Sequence, residues 1–388
     1  MSDRVGRVEC FIFEAERDQP YLGSLRAGED ANRQGYFVRA GNRTVYPTFD
    51  RSVVVRLTSA DGAEGWGETY GIVAPGAVTA IINDLLAEFV IGRDPMDAAT
   101  IHEDLYDLMR VRGYDGGFYL DALAAIDIAL WDLAGQLASL PVAKLLGGRR
   151  RDRVKAYVSG LPKPTLEERV AFAQERIGRG FDAVKFAAVV ADDGAVRELA
   201  ALREGLGPDI AIAVDLHWQL DAPGAVSLAS AMQPYRPWFI EAPVKPEDLD
   251  GQAWIAERIS VPLALGEEWR TVFQALTRLK RNAVGIIQPE MGHTGITQFM
   301  RIGQCAQAHH VRIIPHATIG MGIFMAASLQ ASSALYDVPA HEFQHSIFEK
   351  NRRFLETDMA CENGAYVVPQ SPGLGVRPDL GALRPVAH

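Results

Sequence analysis

The chain has 388 residues, 48% of them hydrophobic and 23% charged. That composition suits a large folded core with a second domain and excludes a disordered or low-complexity protein. A net charge of −10, a pI near 5.5 and no basic stretch beyond "GGRRRDR" exclude nucleic acid or an anionic membrane as the principal partner.

From about Arg4 to Gly67 the apolar residues come in short alternating runs ("VECFIF", "SVVVRLTS", "GWGET") broken by Gly, Pro and Asn, the pattern of an antiparallel sheet. Residues 17–39, "RDQPYLGSLRAGEDANRQGYFVR", form a polar, Gly-containing loop within it, and "MRVRGYDGG" at 109–117 is a second, read as structural. "DALAAIDIALWDLAGQLASL" then keeps helical spacing for about five turns before Pro141 and "LLGGRR". The three cysteines, Cys10, Cys305 and Cys361, are odd in number, lack metal spacing and read as packing residues of a reducing compartment. With no cleavable signal pattern and no uncharged apolar run of spanning length, the protein is expected to be cytoplasmic.

From Val154 the texture changes. Eight short apolar runs, "VKAYVS", "DAVKFA", "IAIAVD", "PWFIEA", "VPLALGE", "VGIIQPE", "VRIIPH" and "HEFQHS", alternate with helical stretches. Continuous apolarity in strands separated by helices predicts a parallel sheet covered on both faces, and eight such strands suggest a barrel. From the second run onward, each ends in one ionisable side chain: Lys185, Asp215, Glu241, Glu267, Glu290, His316 and Glu342. After a first spacing of 30, the intervals are 26, 26, 23, 26 and 26, the length of one strand, helix and two loops. A single charge past a strand commonly caps the next helix. Seven in register instead place these side chains on one rim, where parallel barrels carry their active sites. Asp215, Glu241 and Glu267 then stand side by side, and three adjacent carboxylates need a cation between them. All-oxygen ligands favour a hard divalent ion, Mg²⁺ first, with Mn²⁺ also compatible.

With these residues in place, the chain resembles the mandelate racemase-like branch of the enolase superfamily over nearly its whole length. The resemblance rests on "GWGE" at 65–68, "ALAAIDIALWDLAG" leading to "LLGG", "VD" at 214–215, "IEAP" at 240–243, "LGEE" at 265–268, "QPE" at 288–290, "PH" at 315–316 and "PGLGV" at 372–376. It implies an α/β fold, a modified TIM barrel of the (β/α)7β type with an α+β capping domain. On that reading residues 1–125 form the cap, 126–348 the catalytic barrel, and 349–388 complete the cap. It also implies one Mg²⁺ per chain and chemistry that begins by removing the proton α to a substrate carboxylate, with the metal stabilising the enediolate. A homo-oligomer acting on a small-molecule carboxylate is expected.

Residue by residue, the resemblance implies a general base in His316, oriented by Glu290, which is one methylene longer than the family's usual aspartate. Lys185 matches the first lysine of a Lys-x-Lys pattern and lies against the substrate carboxylate or enediolate; the second lysine, a base in many members, is Ala187 here. His217 stands two residues past Asp215, an Asp-x-His pattern similar to galactonate and mannonate dehydratases, where the histidine protonates the departing β-hydroxyl. Glu342 matches the eighth-strand glutamate, which donates to a substrate oxygen when protonated. Tyr21, Arg26, Tyr36 and Arg39 of the capping loop are candidate substrate contacts, as are His293, His341 and His345 near strand ends. The resulting expectation is a Mg²⁺-dependent dehydratase of a polyhydroxy sugar acid, aldonate or aldarate, giving a 2-keto-3-deoxy acid. An epimerase, racemase or lactone cycloisomerase of the same superfamily, and a catalytically silent metal-binding relative, are the alternatives.

Overall fold

The alternating N-terminal runs pair into an antiparallel sheet in the order Leu383–Val386, Val5–Glu16, Phe49–Ser59, Glu64–Tyr70. The structure, a computed structural model, describes residues 3–317 and 320–386. The middle of strand Phe49–Ser59 is a continuous apolar run because it is buried on both faces: Val53, Val55 and Leu57 face the cap's own helices, whereas Val54 joins the core shared with the barrel. The predicted long helix runs from Gly117 to Ala138, and Ser139 ends it in the left-handed region at φ 54°.

The "GWG" of the fourth cap strand is explained by that helix. A Cβ at Gly67 would stand 1.9 Å from the carbonyl oxygen of Ala125, and one at Gly65 would stand 2.4 Å from that of Ala129. The two glycines let sheet and helix backbones touch. Gly67→Ala is therefore expected to destabilise the fold by about 1–3 kcal/mol through overpacking, measured as a lowered urea midpoint; an unchanged midpoint would show that the contact yields freely.

Eight parallel strands follow: Arg153–Ser159, Ala183–Ala187, Ala211–Asp215, Ile240–Glu241, Leu263–Leu265, Ile286–Ile287, Arg312–Ile313 and His341–Phe343. The eighth pairs with the first, and the Glu342 N–H donates to the Pro315 carbonyl at 3.2 Å, so the sheet closes. Seven helices, Leu166–Gly178 through Ile323–Ala334, separate the strands. One residue in or beside each strand, Tyr157, Ala183, Ala213, Phe239, Ala264, Ile286, Ile314 and Ala340, fills the interior with a mixture of large and small side chains. No single helix among the described residues is long and apolar enough to cross a membrane.

Two boundaries look different in three dimensions. A division between residues 125 and 126 falls inside the continuous helix Gly117–Ala138, whose neighbours are both the cap sheet and the barrel helix Met291–Ala308. The tail also serves both bodies. Its hairpin Ala360–Glu362 and Ala365–Val367 extends the first barrel strand, and only Leu383–Val386 returns to the cap sheet.

Candidate active site

Strand alternation builds the site from the interior layer upward. Two residues past each filling side chain, on the same face, come Ser159, Lys185, Asp215, Glu241, Gly266, Gln288, His316 and Glu342. These lie one layer above the packed interior. Lys185 Nζ, buried, lies 2.7 Å from Glu241 Oε2 and 3.0 Å from Glu342 Oε1. Burial acts to lower the lysine's pKa, but the Glu241 and Glu342 carboxylates outweigh it and hold the ammonium well above its usual range. An apolar strand therefore tolerates this lysine because two carboxylates converge on it.

On the far side His316 Nδ1 meets Glu290 Oε2 at 2.7 Å. The longer glutamate is accommodated by the backbone: Glu290 is the N-cap of helix Met291–Ala308, and its Oε1 accepts the Gly292 N–H at 3.0 Å. One oxygen thus holds the helix and the other the imidazole. Nε2 of His316 faces inward, 3.4 Å from Glu267 Oε2 and 3.7 Å from Glu342 Oε2. Burial lowers the imidazole's pKa, yet Glu342, Glu267 and Glu290 together raise it well above normal.

Glu241, Glu267 and His316 each present a ligand atom within 4.8 Å of the others. Asp215 is the neighbour of Glu241 in register, but its Oδ1 takes the His217 backbone N–H at 2.9 Å and lies 3.0 Å from His217 Nδ1. The tight group therefore holds two of the three expected carboxylates, with His316 in the place expected for Asp215. The donor set still fits a hard cation. Glu241 Oε1 is buried without a hydrogen-bond partner. Burial first, and then the Glu241 and Asp215 charges, drive Glu267 well above the carboxylate range, while burial and Asp215 raise Glu241. Like charges this close call for a positive partner.

His217 and Trp218 both occupy the left-handed region, at φ 48° and 55°, an uncommon pair for non-glycine residues. The turn leaves His217 buried against Asp215, which raises its pKa over the lowering effect of burial. For Glu342 the surroundings work against the protonated donor that the resemblance implies. Burial would raise it, but Lys185, His316, the Ser159 hydroxyl and the Ala317 N–H stabilise the anion and pull its pKa below normal. The neutral donor form is thus disfavoured in the free site.

The capping loop covers the mouth: Gln219 Nε2 donates to the Gly41 carbonyl at 3.0 Å, and Arg26 pairs with Asp192 at 2.7 Å. Tyr21 reaches the site. Its hydroxyl accepts from Gln344 at 3.3 Å, its ring stacks on Tyr46, and burial, then Glu342 and Glu267, raise its pKa. The other loop candidates point elsewhere. Arg26 is spent on Asp192 at the surface, Tyr36 Oη accepts from Arg51 and the Ala74 N–H, and the fully buried Arg39 is clamped by Glu29 and the carbonyls of Tyr21, Gly23 and Ser24. His293 lies beside the dyad but is held by Asp121 at 2.7 Å, and Arg270 binds the same carboxylate. His341 turns to Ser328, and His345 to the Gly160 carbonyl and Arg176.

Sequence reasoning passed over Ser159, Gln288 and Tyr46. Ser159 precedes Lys185 by the same 26-residue interval and pairs with it in register, so the signal was available but the residue is not ionisable. Gln288, 1% exposed and with an unpartnered Nε2, is the sixth strand's layer residue, hidden by the more conspicuous Glu290.

Comparison with known proteins agrees with this geometry. The mandelate racemase/muconate lactonizing enzyme N-terminal domain matches residues 44–147, and the enolase C-terminal domain-like family matches residues 168–382. A D-galactarolactone cycloisomerase of Agrobacterium fabrum is 33% identical over 350 residues, 86% of this chain and 91% of that protein. A D-galactonate dehydratase of Xanthomonas euvesicatoria pv. vesicatoria is 31% identical over 359 residues, 88% of this chain and 92% of that one. A solved structure from Sinorhizobium meliloti, provisionally named an isomerase, is 61% identical with a TM-score of 0.98, covering 99% of this chain and 100% of that one. With both domain models matched in order and a barrel rim carrying the paired carboxylates and His–Glu dyad, the chain belongs to the mandelate racemase-like branch of the enolase superfamily.

Proposed function

We propose that the protein dehydrates a polyhydroxy sugar acid, taking the α-proton with His316 and returning a proton to the departing β-hydroxyl through His217. The observation that carries this reading is one histidine oriented by a glutamate as a base, with a second buried histidine beside Asp215 to serve as an acid. His316 is fixed by Glu290 at 2.7 Å, His217 is held by Asp215 at 3.0 Å, and Ala187 stands where a second base would be needed for racemisation. The names of the galactonate dehydratase and galactarolactone cycloisomerase relatives support a sugar-acid substrate.

In this reading Asp215, Glu241 and Glu267 hold Mg²⁺, which supplies positive charge against the substrate carboxylate. Lys185 lies against the same carboxylate. His316 Nε2 accepts the α-proton and the electron pair left behind passes into the carboxylate as an enediolate; in a second step that pair forms the carbon–carbon double bond as the β-carbon–oxygen bond breaks, and His217 protonates the leaving oxygen to release water. The enol then tautomerises to the 2-keto-3-deoxy acid. Glu290 keeps the Nδ1 proton in place so that Nε2 is the acceptor.

Cycloisomerisation is the second reading, favoured by the 33% identity to a cycloisomerase. Incubation with Mg²⁺ and a panel of aldonates, aldarates and their lactones, followed by mass spectrometry, separates the two. The expected product is lighter than its substrate by one water and does not form after EDTA treatment. A product of unchanged mass assigns the chain to the isomerases, and a panel without turnover overturns both.

A further inference from the structure

Three consecutive residues of the cap, none with a place in the proton transfers above, touch both chain segments that carry the dyad. Thr69 Oγ1 donates to the Gly292 carbonyl at 2.5 Å, and the N–H of that same Gly292 holds Glu290 Oε1. Glu68, fully buried, accepts the N–H groups of Met321, Gly322, Ile323 and Phe324, which open the helix that follows His316. Its Oε1 also takes the Ser52 hydroxyl at 2.5 Å. Tyr70 stacks on His293 at 4.0 Å on one side and on Phe324 at 6.0 Å on the other. A Cβ on Gly292 would stand 2.9 Å from the Tyr70 ring, and one on Gly320 would stand 2.3 Å from Glu68 Oε1. The fit leaves no slack on either side.

We propose that the cap strand Glu64–Tyr70 sets the His316–Glu290 geometry, with Thr69 as its positioning residue. The argument follows the hydrogen bonds. Glu290 has two oxygens and two tasks, and the division between them depends on where the Gly292 peptide stands. Thr69 holds the next peptide, Gly292–His293, by its carbonyl, so Gly292 is pinned from both sides. Glu68 fixes the opposite arm by accepting the N–H groups at the start of helix Ile323–Ala334, so that Met321 to Phe324 are anchored to the same strand. One strand thus holds the first turn of helix Met291–Ala308 and the start of helix Ile323–Ala334 at a constant separation. Losing the Thr69 bond leaves Gly292 held on one side only, and the carboxylate that takes its N–H loses its fixed alignment on Nδ1. Such outer partners typically change activity about 10- to 100-fold.

The proposal rests on His316 acting as the base, and the test separates the two ideas. The full-length protein is compared with Thr69→Val, which keeps the shape and removes the donor, and with Thr69→Ser, which keeps the donor. The downfield imidazole N–H proton bonded to Glu290, identified by its loss in His316→Asn, reports the dyad without substrate. Solvent deuterium entry at the substrate α-carbon reports proton transfer. The expected result is that Thr69→Val shifts or broadens the resonance and lowers kcat for exchange about 10- to 100-fold with KM nearly unchanged, and that Thr69→Ser restores both. An unchanged resonance in Thr69→Val overturns the proposal, as does a parallel rise in KM without a change in kcat. A shifted resonance with normal exchange supports the positioning role and overturns the assignment of His316 as base. Should Thr69→Val fail to fold, Tyr70→Leu removes the ring between His293 and Phe324, and the same outcomes apply to it.

Discussion

His316→Asn is expected to stop solvent deuterium from entering the substrate α-carbon, with a loss of about 10²–10⁴-fold or more in exchange. That is roughly 3–5 kcal/mol of barrier at about 1.4 kcal/mol per decade. Asparagine occupies similar space and can still donate to Glu290 Oε2, so the fold and the Glu290 cap on Gly292 should survive. The variant also decides the identity of the cation ligands. In this structure His316 Nε2 stands with Glu241 and Glu267 in one ligand-sized group. If Asp215 is the third ligand, Mg²⁺ still raises the melting temperature of His316→Asn as it does that of the parent. If the imidazole is the ligand, that increment disappears together with exchange. Exchange at near the parent rate would transfer the role of base to another group, Lys185 first, although its ammonium is engaged by Glu241 and Glu342.

His217→Asn should separate the two halves of the reaction. His316 and the ion site remain, so α-proton removal continues, but the leaving hydroxyl has no proton donor. Loss of a general acid typically costs about 10²–10⁴-fold, here in kcat for water loss. The intermediate then returns to reactant, and deuterium accumulates in recovered substrate faster than product forms. Water loss at the parent rate would remove His217 from the chemistry and give the role of acid to another group. The unusual backbone at His217 and Trp218 makes the histidine's placement deliberate, and asparagine tolerates the left-handed region well. The substitution should therefore leave the turn intact.

Much of the barrel and its rim can be read without coordinates because both depend on short-range periodicity. An apolar run buried on both faces looks the same in any parallel sheet, and a repeat near 26 residues keeps every strand end at one height. Lys185, Asp215, Glu241, His316 and Glu342 therefore stand where their intervals place them. Side-chain direction in the capping loop follows no such period. Arg26, Tyr36 and Arg39 point to Asp192, Arg51 and Glu29, partners chosen by tertiary contact. Charge-based reading also favoured titratable groups over Ser159 and Gln288, which occupy equivalent places in their strands. The shifted pKa of Glu342 was hidden for a related reason: its sign is decided by Lys185, His316, Ser159 and the Ala317 N–H acting together against burial, and no one of these is a sequence neighbour.

The strand order of the cap sheet bears on how the protein matures during synthesis. Val5–Glu16 precedes the whole barrel in the chain, yet one of its two partners, Leu383–Val386, follows it. Nascent domains usually complete themselves in order of emergence. Here strand Val5–Glu16 keeps an open edge until the barrel between it and its partner has been made, and a sheet edge left open is an invitation to wrong pairing. Because the same sheet carries Glu68, Thr69 and Tyr70 to the dyad, a barrel that closes early still waits for its N-terminal partner to be sealed. Refolding from denaturant should therefore show native barrel fluorescence before the cap is protected from proteolysis.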